Sequence, residues 1–254
     1  MVFSTLKKTL SGIADNFGES FERFKQHYDR MWFNSFLCHQ DIPFSQELQL
    51  KHIDTLPSSV SHKIIKKKNV TLALDLDETL VHSSPFARDV DFSFTIISDG
   101  VSSTIYVRKR PFLEEFLEKV SEMFEVVIFT ASNSSYSAKL LDCLDPHNKI
   151  FSQRFYRDSC KWEDGHCLKD LTVLGTDLAK VFIIDNSPRV FRLHVNNGIP
   201  IKSWYWDRTD HALIDLLPFL EKLVDVDDVR PIIAAQFGAR IHSARSAPIQ
   251  IRRI

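Results

Sequence analysis

Two aspartates stand two residues apart, directly after a short apolar run. The run is Val70–Leu74, and Asp75 and Asp77 follow it. If the chain stays extended there, both carboxylates project from the same face. One carboxylate of such a pair can attack phosphorus to form an aspartyl-phosphate, and the other can protonate the leaving oxygen and later activate water. The pair therefore predicts phosphoryl transfer, with capping of the next segment as the simpler alternative reading.

Polar residues also end two later apolar runs. Thr130 follows the run that begins at Glu125, Asp185 and Asn186 follow Val181–Ile184, and Lys169 lies between them. Two acids that meet a phosphate dianion require a cation, and Mg²⁺ prefers carboxylate, carbonyl, phosphate and water oxygens. Recurrence at three run ends favours a catalytic role for Asp75 and Asp77 over simple capping.

Alternating strands and helices must position these residues. We predict strands at 70–74, 125–130, 181–185 and 199–203, a hairpin from 92–97 and 104–108, and helices from Pro111, over 134–144 and over 210–224. This alternation predicts an α/β fold with a doubly wound parallel sheet, in which ligands bind at the carboxyl ends of the strands. Those ends are where Asp75, Thr130 and Asp185 fall.

The same residues carry a family resemblance. Asp75–Ser83 is similar to the first motif of haloacid-dehalogenase-type phosphatases, and more narrowly to that of the small phosphatases of the RNA polymerase II C-terminal domain and their Dullard-like relatives. Phe129–Ser132, Lys169–Leu171 and Ile184–Pro188 resemble the second, third and fourth motifs in the correct order. The resemblance covers roughly residues 70–230 and implies a Rossmann-like core.

That resemblance implies a role for each motif residue. Asp75 is expected to be the nucleophile and Asp77 the general acid/base. Mg²⁺ is expected on Asp75, the backbone carbonyl of Asp77, and Asp185 or Asn186. Thr130 and Lys169 are expected to hold the phosphoryl group and Arg157 to lie near it. Tyr136 is expected to help line a substrate pocket or, as the alternative, to be a helix residue in the core. Positive charge and hydrogen-bond donors around the phosphoryl oxygens are what phosphoryl transfer requires.

The intervals between motifs and two departures from the family bear on the substrate. Only 52 residues separate Asp77 from Thr130 and 38 separate Thr130 from Lys169, which predicts a small strand-rich insert over 150–168 and no large cap. An open cleft favours a phosphorylated protein over a small metabolite. Pro85 replaces an aromatic of the small C-terminal-domain phosphatases and Asn133 an apolar residue, which argues against a proline-docking pocket and the polymerase tail.

We therefore expect a Mg²⁺-dependent protein phosphatase specific for phosphoserine or phosphothreonine. One alternative is a catalytically silent binding protein that resembles mitochondrial import-receptor relatives of the same fold. Another is a phosphatase of small phosphate esters. The intact motif set argues against the silent protein.

The net charge of −1 conceals three segments of different charge. Residues 1–69, expected to be an amphipathic helical extension and linker, carry +3, the phosphatase domain over 70–228 carries −9, and 229–254, expected to be a basic tail, carries +5. Apolar residues recur at helical steps from Phe3 to Met31, so residues 1–40 and the tail are candidate contacts for a membrane surface or a regulatory subunit. The balanced total gives no reason to expect direct nucleic-acid binding.

Four irregularly spaced cysteines and the lack of a signal peptide or a spanning apolar run favour an intracellular protein. Nucleus and cytoplasm both fit, as does peripheral attachment to the nuclear envelope or endoplasmic reticulum.

Overall fold

A parallel sheet brings the strand ends that carry motif residues to one edge of the sheet. The computed structural model describes residues 68–246 apart from residues 88, 99, 100 and 164, so the expected helix at Phe3–Met31 lies outside the described residues. The strands are β1 Thr71–Leu74, β2 Val81–Ser84, β3 Phe92–Ser98, β4 Val101–Lys109, β5 Glu125–Phe129, β6 Phe151–Phe155, β7 Lys161–Glu163, β8 His166–Leu168, β9 Val181–Asp185 and β10 Gly198–Pro200. The helices are α1 Leu113–Met123, α2 Ser134–Leu144, α3 Ala212–Leu220 and α4 Arg230–Ser246, and short 3₁₀ turns include Arg157–Ser159 and Arg192–Asn197.

The central sheet has five parallel strands in the order β10-β9-β1-β5-β6. Every residue of β1 and β9 is buried, because both faces of a parallel sheet are covered. The chain passes from β1 to β5 and β6 on one side and then to β9 and β10 on the other. The direction of winding therefore reverses at β1, and the crevice beyond the carboxyl end of that strand is where such folds bind ligands.

The register aligns the ends of the three central strands. Leu74 pairs with Ile128 of β5 and with Ile184 of β9. The residues that follow these partners therefore meet at the same edge. The predicted parallel α/β sheet is confirmed.

Two small antiparallel sheets lie outside the central one. β3 and β4 form the predicted hairpin, and β2 joins it through β4, a pairing that the sequence analysis did not anticipate. β7 and β8 form a two-stranded hairpin inside the expected insert. Within the described residues, β2–β4 and α1 fill the first interval between motifs, and no large cap is present there.

Several predicted boundaries differ from the observed ones. The helix expected to begin at Pro111 begins at Leu113, because Phe112 takes a left-handed conformation with φ of 63° and turns the chain first. The last strand is confined to β10, and the closing helix ends at Leu220 before a 3₁₀ turn over Glu221–Leu223.

The segment expected to be a tail from residue 229 is helical as far as Ser246. Val229, Ile233 and Phe237 are buried at four-residue spacing, and the ring of Phe237 meets that of Phe219 edge-on at 5.0 Å. α4 also packs against β10 and the Arg192–Asn197 turn. The structured domain therefore extends past residue 228. The apolar face formed by Val229, Ile233 and Phe237 is buried even though the segment carries a net positive charge. None of the helices in the described part of the chain is long and apolar enough to cross a bilayer.

Candidate active site

A tight turn after β1 presents the first two acids. The backbone N–H of Asp75 still bonds to the carbonyl of Ile184 at 3.0 Å, so Asp75 continues the sheet. The chain then reverses, with Leu80 N–H bonding to the carbonyl of Leu76 at 2.9 Å and Glu78 in a left-handed conformation with φ of 58°. Asp75 therefore follows the end of β1 and Asp77 leads into the turn, so the two are not on one face of a continuing strand and each contacts a different group of residues.

Lys169 lies between Asp75 and Asp185. Its Nζ atom is 2.6 Å from Asp75 Oδ1 and 2.5 Å from Asp185 Oδ2. All three side chains are buried, and the backbone N–H of Lys169 bonds to the carbonyl of Val190 at 2.6 Å. The second oxygen of Asp75 accepts a hydrogen bond from the Thr79 hydroxyl at 2.8 Å. The structure thus brings together the nucleophile candidate Asp75, the ammonium group of Lys169 and the carboxyl group of Asp185.

Burial and the neighbouring charges shift the pKa values of Asp185 and Lys169. Burial raises the pKa of Asp185 to about 7, and the charge of Asp75 adds to the rise while Lys169 opposes it. Burial by itself would lower the pKa of Lys169, but the charges of Asp185 and Asp75 outweigh that effect and raise it above its usual value. The lysine is therefore a permanent cation held between two buried acids.

Asp77 contacts a separate set of hydroxyl groups. Its Oδ2 accepts from the Ser132 hydroxyl and its Oδ1 from the Tyr136 hydroxyl, both at 2.6 Å. Burial raises the pKa of Asp77 to about 7, helped by the charge of Glu78, although the two hydroxyl donors lower it. A carboxyl group with a pKa near 7 can both give and take a proton at neutral pH.

The second motif, Phe129–Ser132, lies at the carboxyl end of β5. Thr130 is buried, its N–H bonds to the carbonyl of Phe155 at 2.9 Å, and its Oγ1 accepts from the N–H of Ser132 at 3.1 Å. Arg157 is tied to the same loop, because its Nε donates to the carbonyl of Ala131 at 2.8 Å. Its guanidinium carbon also lies 5.8 Å from the centre of the exposed Trp162 ring. Arg157, on the 3₁₀ turn that follows β6, is therefore held next to the loop that carries Thr130.

The fourth motif adds further oxygen atoms. Oδ1 of Asp185 accepts from the N–H of Ser187 at 2.7 Å, and Nδ2 of Asn186 donates to Ser203 Oγ at 2.9 Å. That bond orients the side-chain amide of Asn186 next to Asp185.

These residues fit a hard divalent cation. Asp75 and Asp185 are two buried carboxylates that share a single lysine, so the cluster carries excess negative charge when both are ionised. The other expected ligands, the Asp77 carbonyl and the Asn186 amide, are neutral oxygens of the kind Mg²⁺ accepts. Among the described residues no group of three or more His, Cys, Asp or Glu side chains is arranged to bind a metal.

Tyr136 takes the alternative of its two expected positions, that of a helix residue in the core. It is completely buried, and its hydroxyl bonds to Asp77 and lies 2.6 Å from Ser83 Oγ, so it does not form the wall of an open pocket. The sequence analysis missed Ser132 and Ser83. Ser132 follows Thr130 by two residues and could have been suspected on that ground, whereas Ser83 lies on β2, a strand that the sequence pattern did not indicate.

The fold and the cluster of acids around a buried lysine define a haloacid-dehalogenase-type protein. A family model described as NLI interacting factor-like phosphatase matches residues 70–230, and the chain belongs to that family. The resemblance found in the motifs is therefore confirmed.

The chain is similar to several curated relatives. It is 49% identical over 198 residues to CTD small phosphatase-like protein 2 of Dictyostelium discoideum, a match that covers 77% of this chain and 35% of that protein. It is 38% identical over 217 residues to CTD nuclear envelope phosphatase 1 of Xenopus tropicalis, covering 81% of this chain and 89% of that protein. Against the human carboxy-terminal domain RNA polymerase II polypeptide A small phosphatase 1 it is 44% identical over 165 residues, covering 65% and 63%.

The chain thus spans from about a third to nearly nine tenths of the length of these relatives. A solved structure of the fission yeast RNA polymerase II CTD phosphatase Fcp1 bound to beryllium fluoride matches with a TM-score of 0.47 and 20% identity, over 76% of this chain and 60% of that chain.

Proposed function

We propose that this chain is a Mg²⁺-dependent protein phosphatase that removes phosphate from serine or threonine through an aspartyl-phosphate on Asp75. The observation that supports it most is the buried lysine. Its Nζ atom contacts Asp75 and Asp185, while a second acid that can hold a proton at neutral pH follows Asp75 by two residues. A nucleophile, a fixed cation and a proton donor are the three groups that this chemistry requires.

The phosphoryl group would be held by donors around its oxygens. Lys169 supplies a permanent positive charge beside Asp75, and Thr130 supplies a buried hydroxyl at the end of β5. Arg157 donates from Nε to the Ala131 carbonyl, and the residue as a whole is partly exposed. Fixed donors of this kind stabilise the charge that spreads over the equatorial oxygens in the transition state.

Asp75 and Asp77 have different roles in the reaction. Asp75, with one oxygen held by Thr79 and the other by Lys169, attacks phosphorus as the bond from phosphorus to the serine or threonine oxygen breaks. Asp77 gives its proton to that leaving oxygen. In the second half, Asp77 takes a proton from the water that attacks the phosphoryl group, and Asp75 is released as a carboxylate.

Asp75, the Asp77 carbonyl, Asp185 and Asn186 would hold the Mg²⁺ ion. When bound, the ion neutralises charge between the acids and the phosphate dianion.

A protein substrate is favoured by the open cleft and by the relatives. Among the described residues no large cap covers the strand ends, and the relatives named above are called CTD phosphatases. Pro85 and Asn133 still argue against the polymerase tail as the substrate of this chain. The nuclear-envelope relative favours a site of action at that membrane, with residues 1–40 or the basic end of the chain as the contact.

The direct test is hydrolysis of para-nitrophenyl phosphate and phosphoserine peptides by the full chain, with Mg²⁺ or with a chelator. We expect Mg²⁺-dependent release of phosphate that Asp75→Asn abolishes without unfolding the protein. Glu122→Gln makes the same chemical change on the exposed side of α1 and should leave the rate unchanged. Full activity of Asp75→Asn would refute the mechanism, and a folded wild type that hydrolyses neither substrate would favour a silent binding protein. A strong preference for small esters in a panel of metabolites would favour the third alternative.

A further inference from the structure

Both oxygens of the Asp77 carboxyl group are held by buried hydroxyl groups. Tyr136 donates to Oδ1 and Ser132 donates to Oδ2, each at 2.6 Å, which is the short distance typical of a hydroxyl bonded to a carboxylate. One donor on each oxygen fixes the plane of the carboxyl group. Each carboxylate oxygen has two lone pairs, so one on each oxygen remains for a proton or a substrate atom.

The phenol of Tyr136 is itself fixed. The side chain is completely buried, its ring lies 5.9 Å from that of Phe94, and its oxygen lies 2.6 Å from Ser83 Oγ. Because the phenol has one proton and gives it to Asp77, Ser83 donates to the phenol oxygen. The result is a directed chain of hydrogen bonds from β2 through Tyr136 to the carboxyl group.

The start of α2 holds both donors in place. The side chain of Asn133 caps the helix by accepting from the backbone N–H of Tyr136 at 3.1 Å. Ser132 lies immediately before this cap, and its own N–H bonds to Thr130 Oγ1. The two hydroxyls therefore come from one rigid segment, next to the residue that is expected to contact phosphate.

We propose that Tyr136 and Ser132 are positioning residues that aim the Asp77 carboxyl group at the leaving oxygen. The inference rests on the proposed function. Proton transfer requires the donor within hydrogen-bond reach of the leaving oxygen, and a misplacement of about 1 Å can cost up to 10²-fold in rate. A carboxyl group held by two donors cannot rotate away without breaking a short hydrogen bond.

The hydrogen bonds from Tyr136 and Ser132 also stabilise the Asp77 carboxylate that forms when the proton has been transferred. As Asp75 forms its bond to phosphorus and the serine oxygen leaves, the proton moves from Asp77 to that oxygen and Asp77 becomes a carboxylate. Donors stabilise a carboxylate more than a neutral acid. Tyr136 and Ser132 therefore stabilise Asp77 in the state it reaches as the leaving group departs.

Substrates with different leaving groups provide the test. A serine alkoxide leaves only with a proton, whereas para-nitrophenolate leaves without one. We expect Tyr136→Phe and Ser132→Ala to lower kcat/KM for a phosphoserine peptide by about tenfold or more, within the range of general acid catalysis. The value of kcat/KM for para-nitrophenyl phosphate should change by less than about threefold, because that ratio includes only the steps through leaving-group departure. Asp77→Asn should show the same selectivity to a greater degree.

Ser137→Ala is the matched control. Ser137 is the next residue of α2, its hydroxyl is also buried, and within the described residues that hydroxyl has no hydrogen-bond partner. Its loss should leave both substrates unaffected. A merely structural role for Tyr136 would instead slow both substrates equally.

The outcomes separate this inference from the proposed function. With an active wild type, equal losses on the two substrates or no loss on either would overturn the positioning role and leave the phosphatase proposal standing. An inactive wild type would overturn the proposed function and, with it, this inference. Thermal unfolding checks that each variant folds. If Tyr136→Phe does not fold, the comparison of the two substrates is made with Ser132→Ala.

Discussion

Replacing Lys169 with methionine should destabilise the protein, and increasingly so as the pH rises. Methionine keeps most of the length of the side chain but removes the only cation within hydrogen-bond distance of Asp75 and Asp185 among the contacts described. Two buried carboxyl groups then face each other without a counter-charge. Breaking a buried ion pair from one side costs about 3–5 kcal/mol, because the remaining charge is left uncompensated.

The pH dependence follows from the raised pKa of Asp185. Burial and the charge of Asp75 already raise it to about 7 in the wild type, and loss of Lys169 raises it further. A carboxyl group with a raised pKa in the folded state holds a proton that the unfolded chain releases above about pH 4. The folded state therefore loses stability as the pH rises from about 4 through the folded-state pKa. At pH 5 the Asp185 carboxyl group of the variant is largely protonated and the cost is small, while at pH 8 the cost approaches about 3–5 kcal/mol.

Urea unfolding in the presence of a chelator measures this difference. The free energy of unfolding of wild type and Lys169→Met should be compared at pH 5 and pH 8, with Lys119→Met as the control because Lys119 is exposed on α1. At pH 8 the melting temperature of Lys169→Met should be about 10 °C lower than that of the wild type, from about 2–4 °C per kcal/mol for a domain of this size. An equal loss of stability at both pH values would refute the electrostatic account, since it would indicate a loss of packing alone.

Two further predictions concern a second buried cation and the proton donor. Arg110 is completely buried, with Nε and Nη2 bonded to Asp210 at 2.7 and 2.9 Å and Nη1 bonded to the carbonyl of Thr79 at 3.0 Å, so Arg110→Met should lower the free energy of unfolding by about 3–5 kcal/mol in a urea titration. A loss below about 1 kcal/mol would show that the ion pair is not buried in solution. Because burial raises the pKa of Asp77 to about 7, kcat/KM for phosphoserine peptides should fall as the pH rises above 7 and the acid loses its proton. A flat profile from pH 6 to pH 9 would contradict that assignment.

Much of the fold can be predicted from local patterns in the sequence. The apolar runs that become β1, β5 and β9 each end at a polar residue of the site, and periodicity locates α2 at its observed bounds. The first turn of α1 departs from the prediction because Phe112, and not Pro111, sets the entry to the helix. β2 was missed because it has only four residues and is recognised by its pairing with β4, a contact across the chain that no local pattern shows.

The segment after residue 228 shows how a charge count can mislead. Its five arginines and lack of acids led to the expectation of a basic tail. The same segment carries apolar residues every four positions, and their burial on the core makes it a helix as far as Ser246. Burial of apolar area contributes more to folding than the net charge of exposed side chains removes.

The sequence by itself determined the order of the motifs and the α/β fold and predicted the class of chemistry, because these depend on residues close together in the chain. Only the tertiary structure placed Lys169, 94 residues from Asp75, between two carboxylates at 2.6 and 2.5 Å. It also brought the Tyr136 hydroxyl within hydrogen-bond distance of Asp77. Those contacts depend on strand order and on how the crossovers pack. Local patterns show which face of an element is buried, but which distant side chains meet at a strand end is decided by the assembled sheet.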